Sequence, residues 1–243
     1  MTTYGVTLLS GGLDSATVTA YAAGRVDHLT AVTFQYGQSH AKEIECAKKI
    51  TKLLSIKHQL LDISLLNDVS WYSALTNPDA FPVPDTNKAE EIGFGIPITY
   101  VPLRNTIFLS LSAALLESKV LHAIEVEGLE PRTTNATLYC APNAIDFSGY
   151  PDCRPEYIES FERMANLATK FTQEDKKIMI HTPLIDLKKS EIILKGNQLG
   201  IDYGITHSCY DPSNTGACGL CDACVLRKKG FEDANITDPT IYQ

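Results

Sequence analysis

The chain has 243 residues, 44% of them apolar, with 21 Lys and Arg against 29 Asp and Glu and a formal net charge of −8 at pH 7. This is enough apolar material for one sizeable core with an elaboration, and no stretch approaches the roughly 18 uninterrupted apolar residues of a membrane helix. The acidic balance disfavours extended contact with a nucleic-acid backbone. The opening apolar run, Val6 to Leu9, has no basic flank and stops at glycines before a secretion signal could form, so a cytoplasmic location is expected.

Tyr4 to Leu9 reads as a short buried strand, Ser15 to Ala23 as a helix ending at Gly24, and His28 to Phe34 as the next strand. From Ser39 onward Ile44, Ala47, Ile50, Leu53 and Leu54 recur at helical spacing, with Lys and Glu opposite, and Lys57 to Ile63 returns to a strand. This β-α-β-α-β order predicts an α/β fold, a doubly wound parallel sheet with helices on both faces, because parallel neighbours need crossover connections. Ligands of such sheets bind at the carboxyl ends of the strands. Residues 75 to 100, rich in proline and glycine, read as a long loop beside that site. Arg104 to Val120 reads as a helix, Ala136 to Ala141 as a strand, Pro155 to Lys170 as a helix, Lys177 to His181 as a strand and Leu187 to Leu199 as a helix closed by Gly200. Residues 122 to 137 read as an insertion.

The first strand and helix are joined by Ser10-Gly11-Gly12-Leu13-Asp14-Ser15. Glycines between a strand and a helix N-terminus let unpaired backbone N–H groups approach a phosphate closely. The stretch lacks the lysine of the Walker loop and the third glycine of the dinucleotide fingerprint. On these residues alone, a tight turn with Ser15 capping a helix is the competing reading.

SGGLDS resembles the PP-loop of the ATP pyrophosphatases, which cleave ATP to AMP and pyrophosphate while adenylating a substrate oxygen. Further stretches follow in order: FQYGQSHAKE (Phe34 to Glu43), YVPLRN (Tyr100 to Asn105), DFSGYPDCR (Asp146 to Arg154) and HTPLIDLKKSEI (His181 to Ile192), then a cysteine cluster. From residue 6 to about 231 the chain resembles the 7-cyano-7-deazaguanine synthase family of queuosine precursor synthesis. The resemblance implies the adenine nucleotide alpha hydrolase-like fold and ATP held by Leu9, Ser10, Gly11, Gly12, Leu13, Asp14 and Ser15 with Arg104 and Asn105. It implies Asp14 and Lys188 as catalytic groups, and Tyr36, His40, Asp146, Tyr150 and Asp152 as substrate contacts. Mg²⁺ accompanies ATP, with Asp14 the candidate ligand. The implied partners are ATP, ammonia and a deazapurine acid, 7-carboxy-7-deazaguanine, with no membrane and a homodimer left open.

Each motif also has a plainer reading. His40 and Glu43 lie three apart, a spacing common in solvated surface pairs, and a helical lysine such as Lys188 ordinarily faces solvent. Arg104 could meet an anion and Asn105 a base edge. DFSGYPDC suits recognition of a flat ring, and equally a turn stiffened by Pro151. Ala141 and Pro142 depart from the glycine and aliphatic residue expected of the family there.

Of the chain's seven cysteines, Cys209, Cys218, Cys221 and Cys224 make a C-x8-C-x2-C-x2-C pattern. Four thiolates fill the tetrahedral shell of a structural zinc. An iron–sulfur cluster uses similar ligands, and disulfides are disfavoured in a reducing compartment; spacing and resemblance favour zinc. Cys46, Cys140 and Cys153 stand apart, and His207 is a spare candidate ligand. The expected organisation is a PP-loop ATP-binding α/β domain over 1–204 and a four-cysteine zinc-binding region over 205–243 on the same core. Two alternatives remain: an adenylating enzyme acting on tRNA or protein, and a zinc-knuckle binding module without catalysis.

Overall fold

The computed structural model describes the chain except residues 37–41, 87–91, 93–94, 146–149, 173–175 and 214. Short apolar runs form five strands, β1 (Thr2–Leu8), β2 (His28–Gln35), β3 (Lys57–Asp62), β4 (Thr134–Tyr139) and β5 (Ile178–His181). All pair in parallel, in the order β3-β2-β1-β4-β5. The central strand pairs Thr7 with Ala31 on one side and with Tyr139 on the other.

Parallel pairing forces each connection across a face of the sheet, and the helices divide accordingly. On one face lie α4 (Arg104–Glu125) and α5 (Pro155–Ala168), whose Leu109, Leu116, Ile158 and Phe161 bury Val6, Val32, Leu138 and Ile178. On the other lie α1 (Leu13–Ala23), α2 (Lys42–Leu53), α6 (Lys189–Gln198) and α7 (Asp222–Asp233), whose Ala16, Ile50, Ile192 and Phe231 cover Leu29, Ala31 and Tyr139. A four-residue helix, α3 (Leu66–Val69), follows β3. Each fully buried aliphatic side chain of these layers contributes about 1.5–3 kcal/mol.

Two stretches take a place in the core that their sequence does not advertise. Residues 122–137, read as an insertion, form the end of α4, a short connection and the first part of β4, with Ala123, Thr134 and Ala136 in the interior. A polar Thr-Asn-Ala-Thr run hides a buried strand because hydroxyls find partners inside, as Thr134 Oγ1 does by donating to Glu130 O at 2.9 Å. Second, among the described residues α4 is long and apolar enough, at mean hydropathy 1.5, to match a membrane span by length and composition. It packs its Leu109, Ala113, Leu116 and Val120 against the sheet as a core helix.

Candidate nucleotide and acceptor site

After β1 the chain turns to one side of the sheet and after β4 to the other, so the carboxyl ends of these neighbouring strands open a crevice. A cavity of about 630 Å³ occupies it, lined by the loop after β1, the start of α4, residues 140–143 and 150–153, Lys189 and the segment 207–211.

The loop's shape follows from its glycines. Gly11 has φ +95°, and a Cβ there would overlap the Glu43 carbonyl oxygen, so both conformation and space require glycine. Gly12 stands at the N-cap of α1 and offers no side-chain cap. The first-turn amides of a helix have no intrahelical acceptor, and here they belong to Leu13, Asp14 and Ser15, which line the cavity at the positive end of the helix dipole. Two earlier amides are engaged: Ser10 N–H donates to Ser15 Oγ at 3.2 Å and Gly12 N–H to Ser10 Oγ at 3.3 Å. A phosphate entering there displaces a rotatable hydroxyl rather than a fixed group. His207 N–H donates to Gly11 O at 2.9 Å and joins the C-terminal segment to the loop.

Asp14 faces Lys189, not Lys188. Lys189 Nζ lies 3.0 and 2.8 Å from the two carboxylate oxygens of Asp14, with the lysine side chain only 11% exposed. Lys188 caps α6, its N–H donating to Glu191 Oε2 at 2.7 Å, and is exposed outside the cavity lining. Lys188 is the N-cap with extended backbone and Lys189 the first helical residue, and the two side chains leave the chain in different directions.

The other end of the cavity is built around Arg104. Leu103 adopts φ 56°, a left-handed conformation rare for leucine, and α4 begins at the next residue. Burial alone disfavours the Arg104 charge, but Tyr36, Tyr150, Tyr210 and Asp152 around it hold the guanidinium firmly protonated. Asn105 N–H donates to Asp152 Oδ2 at 3.3 Å and its side-chain amide to Asp152 O at 3.1 Å, so both groups serve the 150–153 turn. Asp152 is 7% exposed, and burial raises its carboxyl above the ordinary value against the opposing pull of Arg104 and Asn105 N–H. Tyr150 shares a hydrogen bond with the Thr99 hydroxyl at 2.8 Å, and Phe34 and Phe108, both in the lining, stack at 4.3 Å.

Of the residues singled out from the sequence, Leu9, Ser10, Gly12, Leu13, Asp14, Ser15, Tyr36, Arg104, Asn105, Tyr150 and Asp152 line this one cavity, and Gly11 supports it from behind. His40 and Asp146 lie outside the described residues. Sequence reasoning missed Lys189, Phe108, Tyr210, Asp211 and Arg227, all in the lining. Tyr210 and Asp211 follow Cys209 directly, and the metal pattern masked them. Cys140 and Cys153 also line the cavity, and burial raises their thiols to about 12 and about 11, which leaves them protonated.

The sulfurs of Cys209, Cys218, Cys221 and Cys224 all lie within 4.8 Å of one another, and this group could hold a metal ion. Cys209 to Cys218 is 3.5 Å and Cys218 to Cys224 is 4.0 Å; tetrahedral zinc with bonds of about 2.3 Å sets sulfurs about 3.8 Å apart. Backbone N–H groups of Cys218 and Cys221 point at Cys209 and Cys218 sulfurs at 3.2 and 3.3 Å, which suits thiolates. Gly219, at φ +75°, turns the chain between them. His207 meets the loop after β1 through its backbone N–H and is not in the cluster.

The family model described as queuosine biosynthesis protein QueC matches residues 4–235. The chain belongs to that family. It is 50% identical over 240 residues to 7-cyano-7-deazaguanine synthase of Desulfatibacillum aliphaticivorans, covering 98% of this chain and 95% of the relative. It is 51% identical over 240 residues to the enzyme of that name from Syntrophus aciditrophicus, covering 98% and 96%. Among solved structures, NMN synthetase from Francisella tularensis is similar at TM-score 0.39 and 17% identity, over 96% of this chain and 72% of that one. The family match over residues 4–235 takes in the loop after β1 and the four clustered cysteines.

Proposed function

We propose that the protein converts 7-carboxy-7-deazaguanine and ammonia to 7-cyano-7-deazaguanine with ATP, releasing AMP and pyrophosphate. Family membership and the names of its relatives support the product. The observation that carries the chemistry is one cavity with an uncapped helix N-terminus and the Lys189–Asp14 pair at one end, and protonated Arg104 beside Asp152 at the other.

In this reading the Leu13 to Ser15 amides and Lys189 receive the phosphates, where negative charge grows as pyrophosphate leaves. The acid's carboxylate oxygen attacks the α-phosphorus. Ammonia adds to the acyl carbon and AMP departs, leaving the amide. The amide oxygen is adenylated by a second ATP, and loss of AMP and a proton yields the nitrile. Arg104 holds the anionic acceptor, Tyr36 and Tyr150 border its ring, and Asp152 accepts from its base edge. His40 and Asp146 are retained as proposed contacts, and Leu9 to Ser15 as the nucleotide loop.

Mg²⁺ keeps most of its waters and needs few protein carboxylates; Asp14 is its proposed ligand, sharing its oxygens with Lys189, and the ion would offset phosphate charge. The four cysteines are proposed to hold one structural zinc, whose binding contributes folding free energy. Residues 1–204 and 205–243 act as one unit, since Phe231 of α7 lies in the apolar cluster of α1 and α6. A cytoplasmic location belongs to the same reading. A knuckle module without catalysis is not favoured, because the family match covers the α/β sheet as well as the cysteines.

The test is incubation of purified protein with ATP, Mg²⁺, ammonium and 7-carboxy-7-deazaguanine, following products by mass. Amide and then nitrile are expected. Turnover of ATP only with a tRNA or protein acceptor would overturn the assignment.

A further inference from the structure

The long loop after β3 is pinned at both ends. On one side Ala74 N–H donates to Ile98 O at 2.9 Å, and Thr99 bonds Tyr150. On the other, the loop reaches the cysteine cluster. Val83 packs against the buried cysteines, Thr86 N–H donates to Leu220 O at 2.7 Å, and Thr86 Oγ1 donates to the Asp222 carboxylate. Leu220 and Asp222 flank Cys221, and between the two anchors Leu75, Pro78, Pro82 and Val83 form a wall of the cavity. Prolines stiffen this wall, local bonds such as Phe81 N–H to Asn77 O at 3.0 Å shape it, and the Thr86 bonds tie its far end to the knuckle.

We infer that Thr86 is a positioning residue, a latch that ties the acceptor wall of the cavity to the cysteine knuckle and holds that wall against the acceptor. The inference rests on the acceptor reading above. Thr86 itself is absent from the cavity lining, so it acts through the wall. Its hydroxyl donates to the Asp222 carboxylate at the first turn of α7, and hydrogen bonds to carboxylates are worth more than those between neutral groups. Thr86→Val keeps the shape and the main-chain bond to Leu220 and deletes only the hydroxyl.

The experiment compares wild type, Thr86→Val and Thr86→Ser by steady-state kinetics, bound-metal analysis and amide hydrogen exchange of residues 74–86. For Thr86→Val, KM for the deazapurine acid rises about tenfold, the loss of one charge-assisted hydrogen bond, while KM for ATP, kcat at saturation and metal content stay as in wild type. Exchange over 74–86 accelerates, and Thr86→Ser restores both. An equal rise in both KM values, metal loss in Thr86→Val, or unchanged exchange with unchanged KM overturns the latch. If wild type fails to turn over the acid, the acceptor reading falls on its own, and the exchange comparison decides whether the latch exists.

Discussion

The side chain of Lys189 crosses α7 at Gly230 on its way to Asp14. A Cβ at Gly230 would overlap Lys189 Cγ and lie 2.9 Å from its Cβ, while the ammonium at the far end sits 2.8 Å from the Asp14 carboxylate. The missing side chain on one helix is what lets the lysine of another reach Asp14 in the loop after β1.

Gly230→Ala therefore moves Lys189 off Asp14. The clash is with Lys189 Cβ and Cγ, next to the α6 backbone, so α6 and α7 have to shift apart, at about 1–3 kcal/mol for overpacking of this kind. Pyrophosphate release is expected to slow about tenfold or more, since charge stabilisation in such sites depends on placement within fractions of an ångström. Rapid-quench assays beside thermal melts distinguish this from simple unfolding.

Gly11→Ala meets backbone rather than a flexible side chain, and at φ +95°. The loop has to rebuild, at about 1–3 kcal/mol for the strained conformation alone. ATP affinity measured by titration calorimetry is expected to be lost, while circular dichroism retains the α/β signature.

Asp14→Ala removes the carboxylate and leaves Lys189 without this partner at the loop. Both amide and nitrile are expected to disappear if, as proposed, the loop after β1 receives ATP, because the amide forms first. Continued nitrile formation from added amide would show that the second adenylation uses a different arrangement.

Cys221→Ser breaks the cluster at the N-cap of α7. Bound zinc is expected to fall from one equivalent and the melting temperature to drop, with the C-terminal segment more exposed to proteases. Chelation of the wild-type protein at elevated temperature should reproduce the effect, measured by metal analysis and melting together.

Asp152 ties stability to pH. Its carboxyl is raised by burial, so the native state binds its proton more tightly than the unfolded chain does. Stability from this group is full below the ordinary carboxylate range and declines as pH rises through the raised value. Asp152→Asn is thus expected to melt higher than wild type at neutral pH, with the gap closing as pH falls through that range, and to bind the acid more weakly. Melting curves across pH check the first effect and KM for the acid the second.

Much of this protein was legible without coordinates because its signals act over a few residues. The strand, the Ser10 to Ser15 turn and the helix after it are set by local backbone preferences, and the Cys218, Cys221 and Cys224 spacing brings three sulfurs into one group that could hold an ion. Alternating strands and helices likewise determined a parallel sheet with a crevice at its carboxyl edge. What tertiary structure alone decided is which side chains face that crevice. Lys189, the first residue of α6, reaches the cavity past Gly230 of α7, while Lys188, its extended N-cap, stays exposed outside the lining. Residues 122–137 belong to the core because Thr134 and Ala136 pair with β1 across a long sequence separation. Arg104 meets Tyr36, Tyr150 and Tyr210 only once three distant segments are folded together. Hydrogen bonding and periodicity write their pattern into neighbouring residues, whereas packing joins residues far apart in the chain, and no short window of sequence contains it.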